Sequence, residues 1–353
     1  MQIAQNRGVP IQERDVPGHT SATPDWEAIR IFLEVARRGS FRSASDQLGQ
    51  SINAVRRRVS ELEHHLGVTL FTRHVDGVRT TAEGEEILVA ARKMEGASFG
   101  LVRARARTSA MTGEVRLAVT EGLGTFWLAP RLTEFQRAYP TLLVDLNCAM
   151  QSADVLRLEA DASVQLIKPT NPDLKVVKIA RLHSIPFAAE SYISTYGAPT
   201  NLEELFKHRI VLQFSEQTAM KELYERVAPG KPQVGFVSLR TNVSSAHYWA
   251  IAKGAGIGWL PTYACAIGAR VIPIDLDLKF SFDIWLTYHP DGNRIPRVRR
   301  MIDWVIEAFD PKRFPWFRDE LIHPKELPSA FQGSPLVNMF EGFAGLGKAR
   351  GER

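Results

Sequence analysis

The stretch Ser51-Ile-Asn-Ala-Val-Arg-Arg-Arg-Val-Ser-Glu-Leu-Glu-His-His-Leu66 sets the first constraint on the fold. At a helical period, Ile52, Val55, Val59, Leu62 and Leu66 fall on one face. Asn53, Arg57, Ser60 and His64 point the other way, with Arg56 and Arg58 on the flanks. Such a helix hides an apolar stripe and shows polar and cationic groups near its N-terminal half. Ahead of it, Ser43 to Leu48 reads as a short helix whose Ala44 and Leu48 can pack, and Gly49-Gln50 supplies a turn. Two short helices joined this way form a helix-turn-helix, whose second helix enters the DNA major groove N-terminus first. An ordinary amphipathic helix with solvated arginines satisfies the same pattern.

The flanks separate these readings. Asp25 to Ala36 is an amphipathic first helix that Arg37-Arg-Gly39-Ser-Phe41 ends, and His74 to Thr81 reads as a hairpin turned by Asp76-Gly77. Phe32-Leu-Glu-Val-Ala36, Gly39-Ser-Phe41, Ala44 with Leu48, Leu62-Glu63, Leu66-Gly-Val-Thr-Leu-Phe-Thr-Arg73 and Thr81-Ala-Glu-Gly84 follow in order. In this order and spacing the run resembles the LysR-type transcriptional regulators, a bacterial family of winged helix-turn-helix proteins. Arg56 stands where that family often has serine, Ile52 where it often has a polar residue and Thr80 where leucine is usual; these departures bear on base preference rather than fold.

The length of 353 residues suits two or three domains with full cores. A net charge of +5 permits nucleic-acid binding without requiring it, so the positions of the arginines matter more than their number. Cys148 and Cys265 fit neither a zinc spacing nor a C-x-x-C pair and read as free buried thiols, with a disulfide switch left open by the resemblance alone. No apolar run approaches a membrane span and residues 1–24 lack a signal-peptide core, which predicts a cytoplasmic protein with no membrane partner.

Residues 1–24 read as a flexible arm and 25–81 as the winged domain. From Ala82 to about Arg107 a narrow seam of Ile87, Ala91, Met94, Ser98, Leu101 and Arg105 suits two helices packed together, with 82–112 as linker helix and hinge. In the family this helix pairs two subunits, which makes Ile87, Met94 and Leu101 the expected dimer contacts. Beyond Gly113 the period changes to alternation. Strands are expected at Glu114–Val119 and Leu142–Leu146, flanking a helix from Thr125 to Ala138, an order that implies a parallel sheet. Further strands are expected at Ser163–Ile167, Val176–Ile179, Ile185–Ala189, Ile210–Phe214, Val234–Leu239 and Ser281–Tyr288. Helices are expected at Ser244–Lys253 and Pro296–Phe309. The glycines of Gly254-Ala-Gly256-Ile-Gly258 follow a helix and lack dinucleotide-loop spacing, so they read as helix-capping residues.

Gly113-Glu-Val-Arg-Leu117, Leu128-Ala-Pro130, Tyr139-Pro140, Ala160-Asp161, Gly197-Ala-Pro199 and Gly254 to Pro261 resemble the effector-binding domain of the same family. The fold class implied is α/β with an all-α winged helix-turn-helix N-terminal domain and a two-lobed, periplasmic-binding-protein-like effector domain over 113–312. Its first lobe takes 113–170 and 276–312, and its second 173–270. Residues 313–353 exceed the family's usual end; Phe314 to Phe317 and Leu336 to Phe343 are read either as packed on the surface or as a loose tail.

No nucleophile elbow, phosphate loop or metalloprotease helix appears. Neighbouring His64 and His65 diverge by about 100 degrees on a helix and cannot chelate one ion, so with Glu61 and Glu63 they read as a solvated face. The chain is therefore read as a non-enzyme without cofactor or metal. Its expected partners are double-stranded DNA, a small and polar effector, and further copies in a homodimer or homotetramer; contact with RNA polymerase is left open. Asn53 and Arg57 are expected at base edges, Ser51 and Arg56 at phosphates or bases, and Arg73 and His74 at phosphates. Ligands of such folds sit beyond the carboxyl ends of strands, at helix N-termini. Here that means Thr120, Glu121 and Thr125 in one lobe, and Gln213, Ser215, Asn242, Ser244 and Ser245 in the other. Two alternatives stand beside this reading: a solute-binding or catalytic module of periplasmic type, and an architectural DNA-binding protein with no room between its lobes.

Overall fold

The structure, a computed structural model, describes residues 24–106, 111–214, 224–225, 228–265 and 271–331. The N-terminal arm up to residue 23, residues 107–110 of the expected linker and hinge, Ser215 and the segment Leu336 to Phe343 lie outside the described residues. Two compact units divide between Ala97 and Ser98.

The first unit is built from α1 (Trp26–Arg38), α2 (Phe41–Leu48), α3 (Ile52–Leu66), the hairpin β1 (Phe71–His74) and β2 (Gly77–Thr80), and the start of α4 (Ala82–Ala106). Asp25, Ser40 and Ser51 cap the first three helices through their side chains, and Gly39, Gly49 and Gly67 end them in the left-handed conformation that glycine adopts without strain. The inward faces form one core of Ile31, Phe32, Val35, Ala44, Val55, Val59, Leu62, Leu70, Leu88 and Ala91. Buried Glu34 accepts from Arg37 at 2.7 Å and from Arg38 at 2.9 Å, and Arg37 reaches on to Glu95 of α4 at 3.1 Å. That network ties α1 to α4.

The hairpin departs in one detail from expectation. His74 pairs with Gly77, so the two-residue loop is Val75-Asp76 rather than Asp76-Gly77. Gly77, at φ 140°, lies so close to the end of α1 that a Cβ would stand 2.2 Å from the Gly39 carbonyl oxygen. That carbonyl accepts from the Val78 N–H at 2.8 Å, which seats the wing on the α1–α2 turn.

The second unit holds a seven-stranded sheet in the order β10-β6-β11-β5-β3-β4, with β9 also pairing to β6. Its strands are β3 (Gly113–Thr120), β4 (Leu142–Ala149), β5 (Ala162–Gln165), β6 (Lys175–Ala189), β9 (Gly258–Pro261), β10 (Val271–Pro273) and β11 (Phe280–Tyr288). As the strand-helix-strand order predicts, β3 runs parallel to β4 and to β5. The two strands expected at 176–179 and 185–189 are one continuous β6. It pairs with β11 from Lys175 to Ser184 and with β9 and β10 from Ser184 to Ala189, so a single strand passes from one lobe into the other. A small parallel pair, β7 (Ile210–Gln213) and β8 (Val237–Thr241), builds the far lobe with α7 (Glu190–Tyr196) and α8 (Leu202–Leu205). Helices α9 (Ser244–Ala252) and α10 (Pro296–Ala308) follow β8 and β11. Gly256 passes so close to Arg209 that a Cβ would meet its carbonyl oxygen at 2.4 Å, which explains a glycine there without any nucleotide loop.

The helix expected from Thr125 to Ala138 is broken. A short α5 (Glu121–Leu123) widens into a π-turn over Gly124–Leu128, tightens to a 3-10 turn over Ala129–Arg131, and only then continues as α6 (Leu132–Ala138). Pro130 has no N–H to give, and Gly124 lets the turn close on β4, where a Cβ would stand 2.4 Å from Cys148 Sγ. Cys148 is a free, half-buried thiol, and burial first and Glu121 second push it above the ordinary thiol range. The side chain of Cys265 lies outside the described residues.

The start of the C-terminal extension is neither surface decoration nor a loose tail. Phe314, Trp316, Phe317 and Leu327 enter the core of the second unit, where the first three meet Trp127 edge-on with ring centroids 4.9 to 5.5 Å away. Trp127 donates its indole N–H to the Ala308 carbonyl at 2.8 Å. Buried Arg131 lays its guanidinium 3.4 Å from the Trp127 ring centroid, and burial lowers its pKa to about 10. The segment then crosses β6, where Arg318 O accepts from His183 at 2.9 Å and Asp319 pairs with Lys178 at 2.7 Å. Among the described residues, no helix is long and apolar enough to cross a membrane.

Candidate nucleic-acid interface and ligand cleft

Helix α3 buries Val55, Val59 and Leu62, which turns Asn53, Arg56, Arg57, Ser60 and His64 to solvent. Ser51 is the N-cap: its hydroxyl accepts from the Ala54 N–H at 3.2 Å, so it shapes the helix start. Arg57 is 71% exposed and holds Glu61 only at 3.6 Å, with Arg58 reaching the same carboxylate at 3.5 Å. Exposed pairs of this kind contribute little to stability and give way readily to a better anion. Arg56 leans toward α2, its guanidinium 5.8 Å from the Phe41 ring. Arg73 and His74 are exposed on β1, where a ring nitrogen of His74 lies 3.1 Å from Thr72 Oγ1.

Glu63 corrects the reading of the acidic helix face as solvated. Its carboxylate accepts from the Leu70 N–H at 2.7 Å and from the Phe71 N–H at 3.3 Å, so it pins the start of the wing to α3. Helical periodicity alone does not distinguish this glutamate from Glu61, because the groups it satisfies are backbone; only the Leu62-Glu63 motif sets it apart.

On α4, Ile87 is half-buried against the core of its own unit, with Leu88 and Ala91 beside it. Met94 at 42% and Leu101 at 76% exposure instead leave apolar surface on the same helix. The expected seam therefore divides: Ile87 packs inward and the other two remain available to a second helix.

The second unit contains a cleft of about 700 Å³, counting its open mouth. Thr120, Gln213 and Ser244 line it as expected, joined by Ser184 and His247. The walls are mostly apolar: Phe126, Leu182, Tyr248, Trp259, Tyr263 and Phe282 contribute most of the rings and branched chains. Those strand and loop positions were not legible, because they converge from both lobes. Gln213 donates to Ser244 Oγ at 2.8 Å. His247 is buried and donates Nε2–H to the Val211 carbonyl at 3.1 Å; burial lowers its pKa to about 4, so the ring is neutral at pH 7. Trp259 Nε1 is buried without a hydrogen-bond partner.

Three expected ligand residues do other work. Glu121 accepts from the Ser245 N–H at 3.2 Å and from Thr125 Oγ1 at 3.3 Å, so all three belong to one contact between α5 and the start of α9. Gly122 allows it: a Cβ there would stand 2.8 Å from Ser244 Oγ. Asn242 is exposed and does not line the cleft.

Comparison with known proteins converges on one family. Residues 26–85 match the bacterial regulatory helix-turn-helix protein, lysR family, and residues 108–310 match the LysR substrate binding domain. A probable HTH-type transcriptional regulator LtrA of Klebsiella pneumoniae is 25% identical over 288 residues, covering 79% of this chain and 93% of that protein. The HTH-type transcriptional regulator DmlR of Escherichia coli K12 is 29% identical over 287 residues, covering 80% and 93%. The full-length Vibrio cholerae virulence activator AphB, of the LTTR family, has the same fold at a TM-score of 0.50 and 20% identity, covering 80% of this chain and 99% of that one. The chain belongs to the LysR family and is a transcriptional regulator with a helix-turn-helix DNA-binding domain and a substrate-binding domain.

Proposed function

We propose that α3 reads base edges in the major groove through Asn53 and Arg57, that Arg56, Arg73 and His74 hold phosphates, and that a small molecule in the cleft modulates this binding. The observation that carries the reading is the two-faced helix: its apolar face is the core of the first unit, while Asn53 and Arg57 stand exposed one turn apart. A side chain at a base edge contributes sequence choice, whereas one at a phosphate contributes affinity that salt screens. Arg57→Ala is expected to cost about 1–3 kcal/mol on the preferred site, and Arg73→Ala to weaken binding to all sequences alike with a shallower salt dependence. Fluorescence anisotropy on matched and scrambled duplexes distinguishes the two. Equal losses on both duplexes for Arg57→Ala would remove it from the base-reading role.

A cleft lined from both lobes by Thr120, Gln213, Ser244 and aromatic side chains favours a sensor over an architectural protein with no room between its lobes. Met94 and Leu101 support pairing of subunits along α4. A dimeric reader meets two half-sites about one helical turn apart, or a multiple of it. Replacing both residues with glutamate is expected to reduce the mass by light scattering to that of one 39.5 kDa chain and to weaken operator binding with it. An unchanged mass would place the subunit contact elsewhere.

A further inference from the structure

Among the described residues, the cleft is lined by no arginine, lysine, aspartate or glutamate, and its one histidine is neutral. The feature of this cleft that would ordinarily attract an anion is the N-terminus of α9, whose first residue Ser244 lines it and whose first N–H groups carry partial positive charge. One of those groups is already bound. Residue Val243 precedes the helix and gives no side-chain cap, and the Ser245 N–H is bound instead by the carboxylate of Glu121, which comes from the other lobe. Glu121 is thus an anion that the protein supplies to itself, and Gly122 gives it room to reach. Its charge reaches the cleft wall: burial raises the pKa of the Tyr263 hydroxyl, Arg131 lowers it, and Glu121 raises it.

A second anion entering this space would lose its water among Phe126, Leu182, Trp259 and Phe282, meet no cationic side chain among the described residues that line it, and find the Ser245 N–H already held by the Glu121 carboxylate. An uncharged ring-bearing molecule meets none of these costs. It finds aromatic walls for its ring, and the linked hydroxyl and amide of Ser244 and Gln213 for a polar end. We infer that the cleft takes an uncharged, ring-bearing molecule carrying a hydrogen-bond acceptor, and that Glu121 is the specificity-determining residue that excludes carboxylates. This rests on the reading of the cleft as the effector site. It replaces the expectation of a polar effector.

The test uses the full chain and matched probes: one- and two-ring aromatic primary amides and methyl ketones, each set against the carboxylate of the same ring. Binding is measured by calorimetry and by thermal shift. Neutral probes are expected to bind at least ten-fold tighter than their carboxylates. Glu121→Gln keeps an acceptor for the Ser245 N–H but removes the charge, and is expected to narrow that ratio at least ten-fold. Carboxylates that bind the native protein as tightly as their neutral partners overturn the inference, as does an unchanged ratio in Glu121→Gln or the absence of binding by any neutral probe at millimolar concentration. Indole fluorescence locates the ligand. Its change on binding is expected to vanish in Trp259→Phe; a neutral probe that binds with the same fluorescence change in that variant lies outside the cleft, and the effector-site reading itself then fails.

Discussion

A chain ending at Asp310 is expected to lose the cooperative unfolding of its second unit. The family match ends at residue 310, so such a truncation looks harmless on the sequence, yet it removes Phe314, Trp316, Phe317 and Leu327 from the core. It would leave Trp127 without three of its ring neighbours and open the site where Arg131 is buried against Trp127 and Phe314. A buried phenylalanine or tryptophan cut to alanine costs about 3–5 kcal/mol, and a domain's whole stability is about 5–15 kcal/mol. Phe317→Ala and Trp316→Ala singly are therefore expected to fall in the 3–5 kcal/mol range and the truncation to exceed what the unit can lose. Urea unfolding followed by tryptophan fluorescence measures each. A truncated chain with an unchanged midpoint would show that the extension merely lies against the core.

The second large effect is acid lability centred on His247. Its imidazole is buried with Gly258 close against it, where a Cβ would lie 2.9 Å from Nε2, and the folded protein holds it neutral. Burial takes its pKa from the ordinary 6.5 down to about 4. In the unfolded chain the ring protonates as pH falls through 6.5, while in the folded chain it stays neutral until about 4. The unfolded state thus binds the extra proton over that window, and stability falls with pH across it. At about 1.4 kcal/mol per pH unit, up to about 3 kcal/mol is lost between those limits and none above pH 7. His183, also lowered by burial, acts in the same direction. Asp275 and Asp319, held low by their lysine partners, contribute losses in a separate window below about pH 4. His247→Gln retains a donor for the Val211 carbonyl but does not titrate, so its stability is expected to change less between pH 7.5 and 5 than that of the native protein. Equal losses in the two would clear His247 of this role.

What the sequence shows and hides follows from where the stabilising contacts lie. Helix α3 was legible because its periodicity, its serine cap and its glycine stop all act within one stretch of chain. The parallel β3–β4 pair was legible for the same reason, through alternation and the expected connecting helix. The middle of β6 was hidden because Arg181, His183 and Ser184 look like a loop. They are strand residues: His183 is satisfied by Ser281 Oγ and by Arg318 O, contacts 98 and 135 positions away. The broken helix at Gly124–Arg131 was misread as regular because apolar spacing persists through it, while Pro130 and the glycines decide its hydrogen bonding. Phe314-Pro-Trp-Phe317 has no period at all, and its place is set by Trp127, far away in sequence. Polar groups at strand ends suggested a polar ligand. The aromatic walls arise only when β6, β9 and β11 are brought together with α9.

Selection of binding sites from a random duplex pool tests most directly whether α3 reads base sequence. The native chain is expected to enrich one motif, built of two half-sites whose centres lie about one helical turn or a multiple apart. Selection repeated with Arg57→Ala, and with Asn53→Ala, should return the same spacing but lose base preference at one position per half-site in each case. No enriched motif from the native chain, or an unaltered motif from both variants, would contradict the assignment of base reading to this helix.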